Sequence, residues 1–358
     1  MSSNSWGERF RITSFGESHG SALGVVIDSC PSGVKWDEAL LKQWMQRRRP
    51  GQAAWVSARQ EPDEVEVLSG VFEGLTLGTP IAMLVRNRDA RSQDYSDLAS
   101  GAARRVGHAD DVWRDKYSHV DPRGGGRASG RETLSRVMAA AVAEMWVRER
   151  WPAIEVVGLA SRIGGRTLSW SSAEIEARLQ SLRRDQVDAC VARFPDTPEV
   201  QAEFEKSLVA AVRDGESYGG EAWVMVRGVP RGLGQPVFRK LKNHWADALM
   251  SVGATSSFAL GLEVGDETRE DRDEDRGTEF HREGASALRY GGVRGGLATG
   301  ELMLARVGFK PTSSVMDVSK RGRHDPCIVP RAVPVLEAMT WLMLADQLML
   351  EFGTSGGR

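Results

Sequence analysis

The feature that most constrains the fold of this chain is a similarity between two of its own segments. Residues 16–34 read GESHGSALGVVIDSCPSGV, and residues 215–233 read GESYGGEAWVMVRGVPRGL. Aligned without gaps, the segments agree at seven positions, and each is followed by a pattern typical of an amphipathic helix. Such internal similarity is typical of a duplicated structural unit. We therefore predict two copies of a loop, strand, turn and helix, in pseudo-repeats that begin near residues 10 and 210.

The duplication predicts one α+β domain over residues 1–358. A half-buried strand and an amphipathic helix each have one apolar side, and both must bury it in a shared core. Two such units predict a single-domain β-α-β sandwich with internal pseudo-duplication, in which a helical core lies between two antiparallel sheets. Apolar runs predict strands at 10–15, 22–28, 64–69, 79–85, 154–160, 222–227, 258–264 and 302–309. Helical periodicity predicts helices at 37–49, 129–151, 171–184, 199–213, 238–250 and 334–352.

Local chemistry predicts two helix starts and one loop. Ser129 and Glu132 have the spacing of a capping box at the start of the helix over 129–151. Pro334 is expected near the first position of the last helix, where a missing N–H costs nothing. The stretch 265–283 is rich in acidic residues and poor in apolar ones, so we predict a mobile, solvated loop there.

The charge balance and the cysteines exclude several classes of protein. The 47 basic and 49 acidic side chains give a formal net charge of −2, whereas a dedicated nucleic-acid binder normally carries a basic excess. The three cysteines are far apart and never in CxxC spacing, which argues against a disulfide framework and indicates a reducing compartment. The sequence has neither a secretory signal pattern nor a run of about 18 apolar residues. We expect a cytoplasmic protein that binds no nucleic acid and no membrane.

Polar residues flanked by glycine mark a candidate site in the first part of the chain. His19 lies in GESHG and His108 in RVGHAD, where small neighbours leave a side chain accessible to a ligand. Such a histidine can move a proton near neutral pH, although a surface turn would give the same pattern. The RRRPGQ run at 47–52 exceeds what a helix C-terminus needs and suits a phosphate or carboxylate. The GGGRASGRET run at 124–133 opens a helix and so offers N–H groups to an anion.

Three further loops late in the chain have a similar composition. They are GGVRGG at 291–296, KPTSS at 310–314 and RGRHDPC at 321–327. Lysine, arginine and hydroxyl side chains in glycine-rich loops are typical of sites for phosphorylated ligands. The histidines lack HxxxH or HExxH spacing, so we predict no metal site. A serine hydrolase is possible from the inventory of residues, but the two GxSxG matches, GESHG at 16–20 and GESYG at 215–219, each lead into a predicted strand, whereas a nucleophile elbow leads from a strand into a helix.

In their order and spacing, these motifs resemble the chorismate synthase family over nearly the whole chain. GESHG at 16–20, GGGRASGRET at 124–133 and GRHDPCIVPRAVPVLEAM at 322–339 are similar to the family's three signature regions. Segments between them, among them EPDEVEVLSGVFEG and GVPRGLGQPVF, also resemble family sequence. So many ordered motifs are hard to reach by chance.

The resemblance implies a lyase of the shikimate pathway, which serves aromatic amino acid biosynthesis. Such an enzyme converts 5-enolpyruvylshikimate 3-phosphate to chorismate by an anti-1,4 elimination of phosphate. It is a flavoprotein that requires reduced FMN, although the reaction has no net redox change. The resemblance also implies a homotetramer, and a need for NADPH only if the protein reduces its own flavin. Ala54 stands where the family often has a basic side chain, which leaves that last point open.

The resemblance assigns roles to particular residues. A protonated His19 would help phosphate to leave, and His108 would support the charge on the reduced flavin. Ser18 and Asp325 would belong to the relay that readies flavin N5 to take the proton from the ring. The phosphate and carboxylates of the substrate would contact Arg48, Arg49 and Arg131. Contacts to FMN would fall on Arg127, Ala128, Ser129, Ala254, Gly295, Lys310, Pro311, Thr312, Ser313, Ser314 and Arg323.

Two other functions stay open at this level. One is a diverged, non-catalytic relative that binds flavin or an anionic metabolite, since departures from the family pattern such as Val106, Ala128 and Gly253 lie mostly on the flavin side. The retained histidines favour the enzyme, because a non-catalytic binder has no need of both. A nucleic-acid binder that uses the arginine clusters ranks third because the net charge is acidic.

Overall fold

Two antiparallel five-stranded sheets enclose a layer of helices in the computed structural model of the chain. The structure describes residues 3–49, 55, 63–87, 107–121, 125–262, 287–313, 315 and 325–353. The strands are β1 (Ser5–Trp6), β2 (Arg11–Phe15), β3 (Ala22–Asp28), β4 (Ser32–Lys35), β5 (Val65–Val67), β6 (Val71–Phe72), β7 (Leu75–Leu77), β8 (Ile81–Arg86), β9 (Glu155–Ile163), β10 (Arg166–Thr167), β11 (Gly220–Arg227), β12 (Thr255–Leu260), β13 (Val293–Arg294), β14 (Leu297–Ala298) and β15 (Met303–Phe309). The α-helices are α1 (Glu38–Arg48), α2 (Asp110–Tyr117), α3 (Thr133–Arg150), α4 (Ser172–Ser181), α5 (Arg184–Ala189), α6 (Pro198–Asp214), α7 (Leu241–Met250) and α8 (Val329–Phe352).

The two large sheets repeat one topology. The first sheet has the order β1-β2-β3-β8-β5, and the second has the order β10-β9-β11-β15-β12. Without the short edge strands β1 and β10, each half places its four strands in the order first, second, fourth, third. In each half a helix follows the second strand (α1 or α7), and a long helix follows the fourth (α3 or α8). This repeated order supports the predicted duplication and confirms the α+β fold class.

The two similar segments occupy equivalent places in the two sheets. Residues 22–28 form β3, and the residues aligned with them lie in β11. Each strand is followed by a Pro-x-Gly turn in which the glycine has a positive φ, +83° at Gly33 and +93° at Gly232. Such backbone angles are easily adopted only by glycine. The shared glycines therefore preserve the turn that leads each strand toward its helix.

The layer between the sheets is built on α3 and α8, which pack against each other. The run of alanines at 139–141 in α3 is fully buried, and side chains this small allow the two helices a close approach. Among the described residues, α8 alone is long and apolar enough to cross a membrane, but 94% of its most apolar window is buried inside this fold. It is thus the central core helix of the molecule.

Charged side chains are also buried in this layer. Glu144 of α3 and Glu337 of α8 are both 0% exposed, and Arg184 contacts both at 3.1 and 3.6 Å. Arg47 donates to Glu337 at 2.5 Å and also pairs with Asp188. Burial lowers the pKa of the Arg47 guanidinium, but the two carboxylates raise it more, and the net shift is upward. The first arginine of the RRR run is therefore part of the core and not of a ligand site.

Two predicted helix starts are wrong in an informative way. The last helix begins at Val329, so Pro334 lies inside it, where the carbonyl of Pro330 lacks its usual N–H partner. Arg193 supplies that partner, because its Nη1 donates to the Pro330 carbonyl at 2.5 Å. The capping box is also absent. The side chain of Ser129 accepts from the Arg131 N–H of a short 3-10 helix, while Glu132 pairs with Arg136.

The outer faces of the two large sheets differ. The second sheet is covered by a small apolar cluster in which Leu304 of β15 packs with residues of α4 and α5. The first sheet has no such cover among the described residues. There Phe15 is 40% exposed, and Leu84 of β8 is half-buried. A separate three-stranded sheet of β4, β7 and β6, which the sequence analysis did not predict, lies in the first half. The predicted loop at 265–283 lies outside the described residues.

Candidate active site

A cavity of about 730 Å³ is lined by residues from both halves of the molecule. Its wall is formed by the N-terminal arm (residues 3–6), the end of α1, residues 107–113, the connection into α3, residues 251–254 and the connection into α8. Seven of the lining residues are Arg or Lys, and three are Asp or Glu. The chain as a whole has a formal net charge of −2. Positive charge is therefore concentrated in this cavity, which favours an anionic ligand.

Most of the residues predicted from the sequence meet at this cavity. Those that line it are Arg48, Arg49, His108, Arg127, Ala128, Ser129, Arg131, Ala254, Lys310, Pro311, Thr312, Ser313 and Asp325. Ser18, His19 and Gly295 are described but do not line it. Ser314 and Arg323 lie outside the described residues.

An arginine cluster forms one side of the cavity around a single carboxylate. Asp63 accepts from Arg131 Nη2 at 3.1 Å and from Arg48 Nη1 at 3.5 Å. Arg48 also donates to the Thr133 hydroxyl at 3.0 Å, and Arg131 Nε donates to Asn87 at 2.8 Å. These side chains are held in fixed positions by buried hydrogen bonds, as a preorganised anion site requires.

Arg127 braces the loop that precedes α3. Its guanidinium donates to the Ser14 hydroxyl at 2.6 Å, to the Gly16 carbonyl at 3.2 Å and to Asn4 at 3.5 Å. Ser18 adds a backbone bond of 3.4 Å from its N–H to the Gly126 carbonyl. The GESHG turn and strand β2 thus hold this loop in place through hydrogen bonds.

A second group of loops holds His108 at the cavity. Gly107 precedes it with a φ of +81°, and its carbonyl accepts from Lys310 Nζ at 3.1 Å. Thr312 Oγ1 donates to the Asp325 carbonyl at 3.0 Å, and the Asp325 carboxylate pairs with Arg331. Three separate stretches of chain, around residues 107, 310 and 325, are therefore tied together beside the histidine.

The other predicted histidine is placed differently. His19 is 9% exposed, and its Nδ1 lies 3.1 Å from the hydroxyl of Ser18. Asn87 fixes the turn by donating from its side-chain amide to the Glu17, Ser18 and Gly20 carbonyls at 3.3, 3.4 and 2.8 Å. The turn is rigid and lies outside the cavity lining.

Gly295 is in the turn between β13 and β14, away from the cavity lining. This hairpin packs against the chain just before α7, where a Cβ on Gly296 would lie 2.4 Å from Lys240 Cγ. Close packing against Lys240 holds the hairpin on that side of the molecule.

The sequence analysis missed several residues of the cavity. Asp63, Trp113 and the N-terminal arm are the main ones, together with an apolar wall of Ile328, Val335 and Met339. The arm is anchored to helix α7, far away in sequence, because Trp6 Nε1 donates to Asp247 at 2.7 Å. Asp63 and the apolar wall lay in segments that resembled the family, EPDEVEVLSGVFEG and GRHDPCIVPRAVPVLEAM, but nothing in the sequence singled out these residues within them.

The thiol and metal chemistry of the region is limited. Burial raises the pKa of the Cys327 thiol to about 12, so this residue stays a protonated thiol although it lies close to Asp325 in sequence. Among the described residues, no group of three His, Cys, Asp or Glu side chains is placed to hold a metal ion.

The donor set suits a flat aromatic group that carries a phosphate. Lys310, Arg127 and the hydroxyls of Ser129 and Thr312 can contact anionic oxygens, while the apolar wall can contact a ring. Arg49 Nε is buried without a hydrogen bond among the described residues. An unsatisfied buried donor of this kind suits an anionic oxygen of a ligand.

A cationic cavity with a histidine, between loops that precede two core helices, is typical of an enzyme acting on small, multiply anionic molecules. Comparison with known proteins specifies the class further. A family model described as chorismate synthase matches residues 10–349. A chorismate synthase of Bdellovibrio bacteriovorus is 54% identical over 352 residues, which cover 98% of each chain.

More distant relatives agree with this match. A chorismate synthase of a Synechococcus strain is 40% identical, over 97% of this chain and 93% of its own. A crystal structure of chorismate synthase superposes with a TM-score of 0.74 and 28% identity, over 97% of this chain and 94% of that one. The chain belongs to the chorismate synthase family, which confirms the resemblance seen in the sequence. It is accordingly a lyase of the shikimate pathway with a small-molecule substrate.

Proposed function

We propose that this chain converts 5-enolpyruvylshikimate 3-phosphate to chorismate, with reduced FMN bound in the same cavity. The observation that carries the proposal is the cavity of about 730 Å³ in which seven basic residues and His108 face one space. A substrate with one phosphate and two carboxylates needs such a positive surface. The attraction between its anionic groups and the arginines is stronger where water is excluded.

The substrate is assigned to the arginine side. Arg48, Arg49 and Arg131 converge on Asp63, and guanidinium groups bind phosphate and carboxylate through paired hydrogen bonds. These residues orient the substrate so that the bond to its phosphate faces the remainder of the cavity.

The flavin is assigned to the loops on the other side. Arg127, Ala128, Ser129, Ala254 and the stretch 310–313 line the cavity there. By resemblance, Gly295, Ser314 and Arg323 complete the set. Reduced FMN, when bound, supplies an electron-rich ring that promotes loss of phosphate without net oxidation. The apolar residues Val335 and Met339 exclude water from that region.

The reaction removes a phosphate and a proton, and four residues are proposed to handle charge and protons. His108 lines the cavity and is assigned to support negative charge on the bound flavin. Asp325, held by Arg331, and Ser18 belong to the proton relay. His19 is the proposed acid for the departing phosphate, with the family resemblance as its support.

An anaerobic assay tests the proposal. Purified protein is mixed with reduced FMN and 5-enolpyruvylshikimate 3-phosphate, and the absorbance of chorismate is followed. We expect turnover with reduced FMN and none with oxidised FMN. A folded protein that binds FMN but gives no chorismate at saturating flavin would favour the non-catalytic relative instead.

We further propose a homotetramer in the cytoplasm. No described residue covers the outer face of the first sheet, with Phe15 and Leu84, which supports burial of this face against another copy. The three cysteines are free thiols, which suits a reducing compartment. NADPH would be required only if the protein reduces its own flavin. Sedimentation of the active protein checks the assembly, and a fully active monomer would overturn it.

A further inference from the structure

The carboxylate of Asp63 lies at the centre of the arginine cluster and has no assigned role. Its side chain is 3% exposed, and the residue lies two positions before the start of β5. Its φ is +44°, in the left-handed region that few residues other than glycine adopt. Asp is among the side chains that tolerate this region. Unusual backbone angles that persist in a fold are often found at functional sites.

The two oxygens of Asp63 contact arginines from two different elements. Oδ1 accepts from Arg131 Nη2 at 3.1 Å, and Arg131 belongs to the connection into α3. Oδ2 lies 3.5 Å from Arg48 Nη1 and 3.9 Å from Arg49 Nε, at the end of α1. One carboxylate thus joins two stretches of chain that are otherwise far apart in sequence.

The charges of this cluster match the charge of a phosphate monoester. Three guanidinium groups and one carboxylate leave two positive charges, and a phosphate monoester carries up to two negative charges near neutral pH. Without Asp63, the like charges of these three guanidinium groups would repel each other and separate. The carboxylate lets them converge before the ligand arrives, which reduces the entropy lost on binding.

We propose that Asp63 is a positioning residue that holds Arg48, Arg49 and Arg131 as one phosphate-binding cluster. The inference rests on the proposed function for the identity of the substrate, but the cluster should bind inorganic phosphate without flavin or substrate. Asp63 acts through the arginines and not by contact with the reacting atoms.

The test is calorimetric titration of inorganic phosphate into the flavin-free protein and three variants. Asp63→Glu keeps the charge but moves the oxygens by one methylene. Asp63→Asn keeps the shape but removes the charge. The matched control is Glu66→Gln, which removes the same charge from an exposed ion pair between Glu66 of β5 and Arg86 of β8. Thermal melting of each variant shows whether it is folded.

We expect the wild-type protein and Glu66→Gln to bind phosphate equally. Asp63→Glu should weaken phosphate binding about threefold or more, and Asp63→Asn about tenfold or more, although the second change adds net positive charge. With substrate, Asp63→Glu should raise KM more than it lowers kcat, because substrate binding is disturbed before chemistry.

Several results would overturn the inference. If Asp63→Asn binds phosphate as tightly as wild type or more tightly, the carboxylate is only a counter-charge. If that variant does not fold, unchanged phosphate affinity in Asp63→Glu decides against positioning in the same way. Wild-type protein that binds no phosphate also overturns the inference. Failure of the proposed function gives a different result. The phosphate affinities of the wild-type protein and the variants would be as expected, while the wild-type protein would produce no chorismate.

Discussion

The two halves of the molecule share one strand order but differ in what surrounds it. Between β9 and β11 the second half carries α4, α5 and α6, of which the first two cover its sheet. The equivalent connection between β2 and β3 is only residues 16–21. Within the described part of the chain, the first sheet therefore lacks that cover. The comparison shows that a duplicated framework can keep its core while the connections diverge.

The two similar turns also invite comparison, because each supports a loop of the cavity. In the first half, Arg127 donates to the Gly16 carbonyl. In the second half, Ser217 Oγ donates to the Thr312 carbonyl at 2.9 Å, and the N–H of Tyr218 donates to the Pro326 carbonyl. Each turn thus holds the connection into the long core helix of its own half. Residues of both connections line the cavity, whereas those of the two turns do not.

The largest expected effect tests whether the histidines of the first half have roles in the reaction that the equivalent turn of the second half lacks. We expect His108→Ala and His19→Ala to lower turnover by up to about 10²–10⁴-fold, the usual contribution of general acid–base groups. His108 should show the larger loss because it lines the cavity. The counterpart of His19 is Tyr218, and Tyr218→Phe should leave turnover nearly unchanged. Steady-state rates with equal thermal melting provide the measurement.

Loss of turnover in Tyr218→Phe that matches His19→Ala would break this contrast between the halves. Near-normal rates in both histidine variants would contradict the roles assigned to them, namely support of the flavin's negative charge by His108 and proton donation by His19.

A second test compares the outer faces of the two sheets. Leu304 on β15 is 0% exposed, and Leu84 on the equivalent strand β8 is half-buried. Leu304→Ala should lower the free energy of unfolding by about 2–5 kcal/mol, as large-to-small changes in a core do. Leu84→Ala should cost about 1 kcal/mol or less in a dissociated subunit. Urea unfolding measures both.

Protein concentration sharpens that comparison. If another copy covers the first sheet, the loss caused by Leu84→Ala should grow as the protein is concentrated. Equal losses at both positions in a monomer would contradict the difference between the two faces.

The smallest expected effects concern the two supported loops. Arg127→Ala removes charged hydrogen bonds worth roughly 1.5–3 kcal/mol, so FMN binding should weaken by about tenfold or more. Ser217→Ala removes a neutral bond worth about 0.5–1.5 kcal/mol, and FMN binding should weaken about two- to tenfold. Titration of FMN in the presence of substrate measures both affinities. A larger loss of FMN affinity in Ser217→Ala than in Arg127→Ala would contradict the expectation that the loop of the first half matters more for FMN binding.

The sequence predicted those parts of the fold that depend on local pattern. Strand β3 was predicted at 22–28, and the structure has it there. Helix α1 was predicted at 37–49 and spans Glu38–Arg48, with Asp37 as its N-cap. The repeated strand and turn were also foreseeable from the two similar segments. The way the halves meet was not, because α3 and α8 pack together at the centre and not the helices α1 and α7 that follow those segments.

Contacts between distant residues could not be predicted in this way. Pro334 is tolerated inside α8 because Arg193, far away in sequence, donates to the carbonyl that the proline leaves without a partner. Of the three successive arginines, Arg47 points to Glu337 in the core, while Arg48 and Arg49 line the cavity. Asp63 gave no local signal of its own, since its importance comes from side chains on two other elements.

Helix α8 also has a consequence for the synthesis of the protein. It follows every other helix and strand along the chain, yet it lies at the centre and packs on both α3 and the second sheet. At about 5–20 residues per second, the first sheet and α3 leave the ribosome tens of seconds before α8 exists. For that time the nascent chain has an apolar helix face with no native partner, the kind of surface that chaperones bind. Folding of the whole core must therefore wait until residues 329–352 have been made.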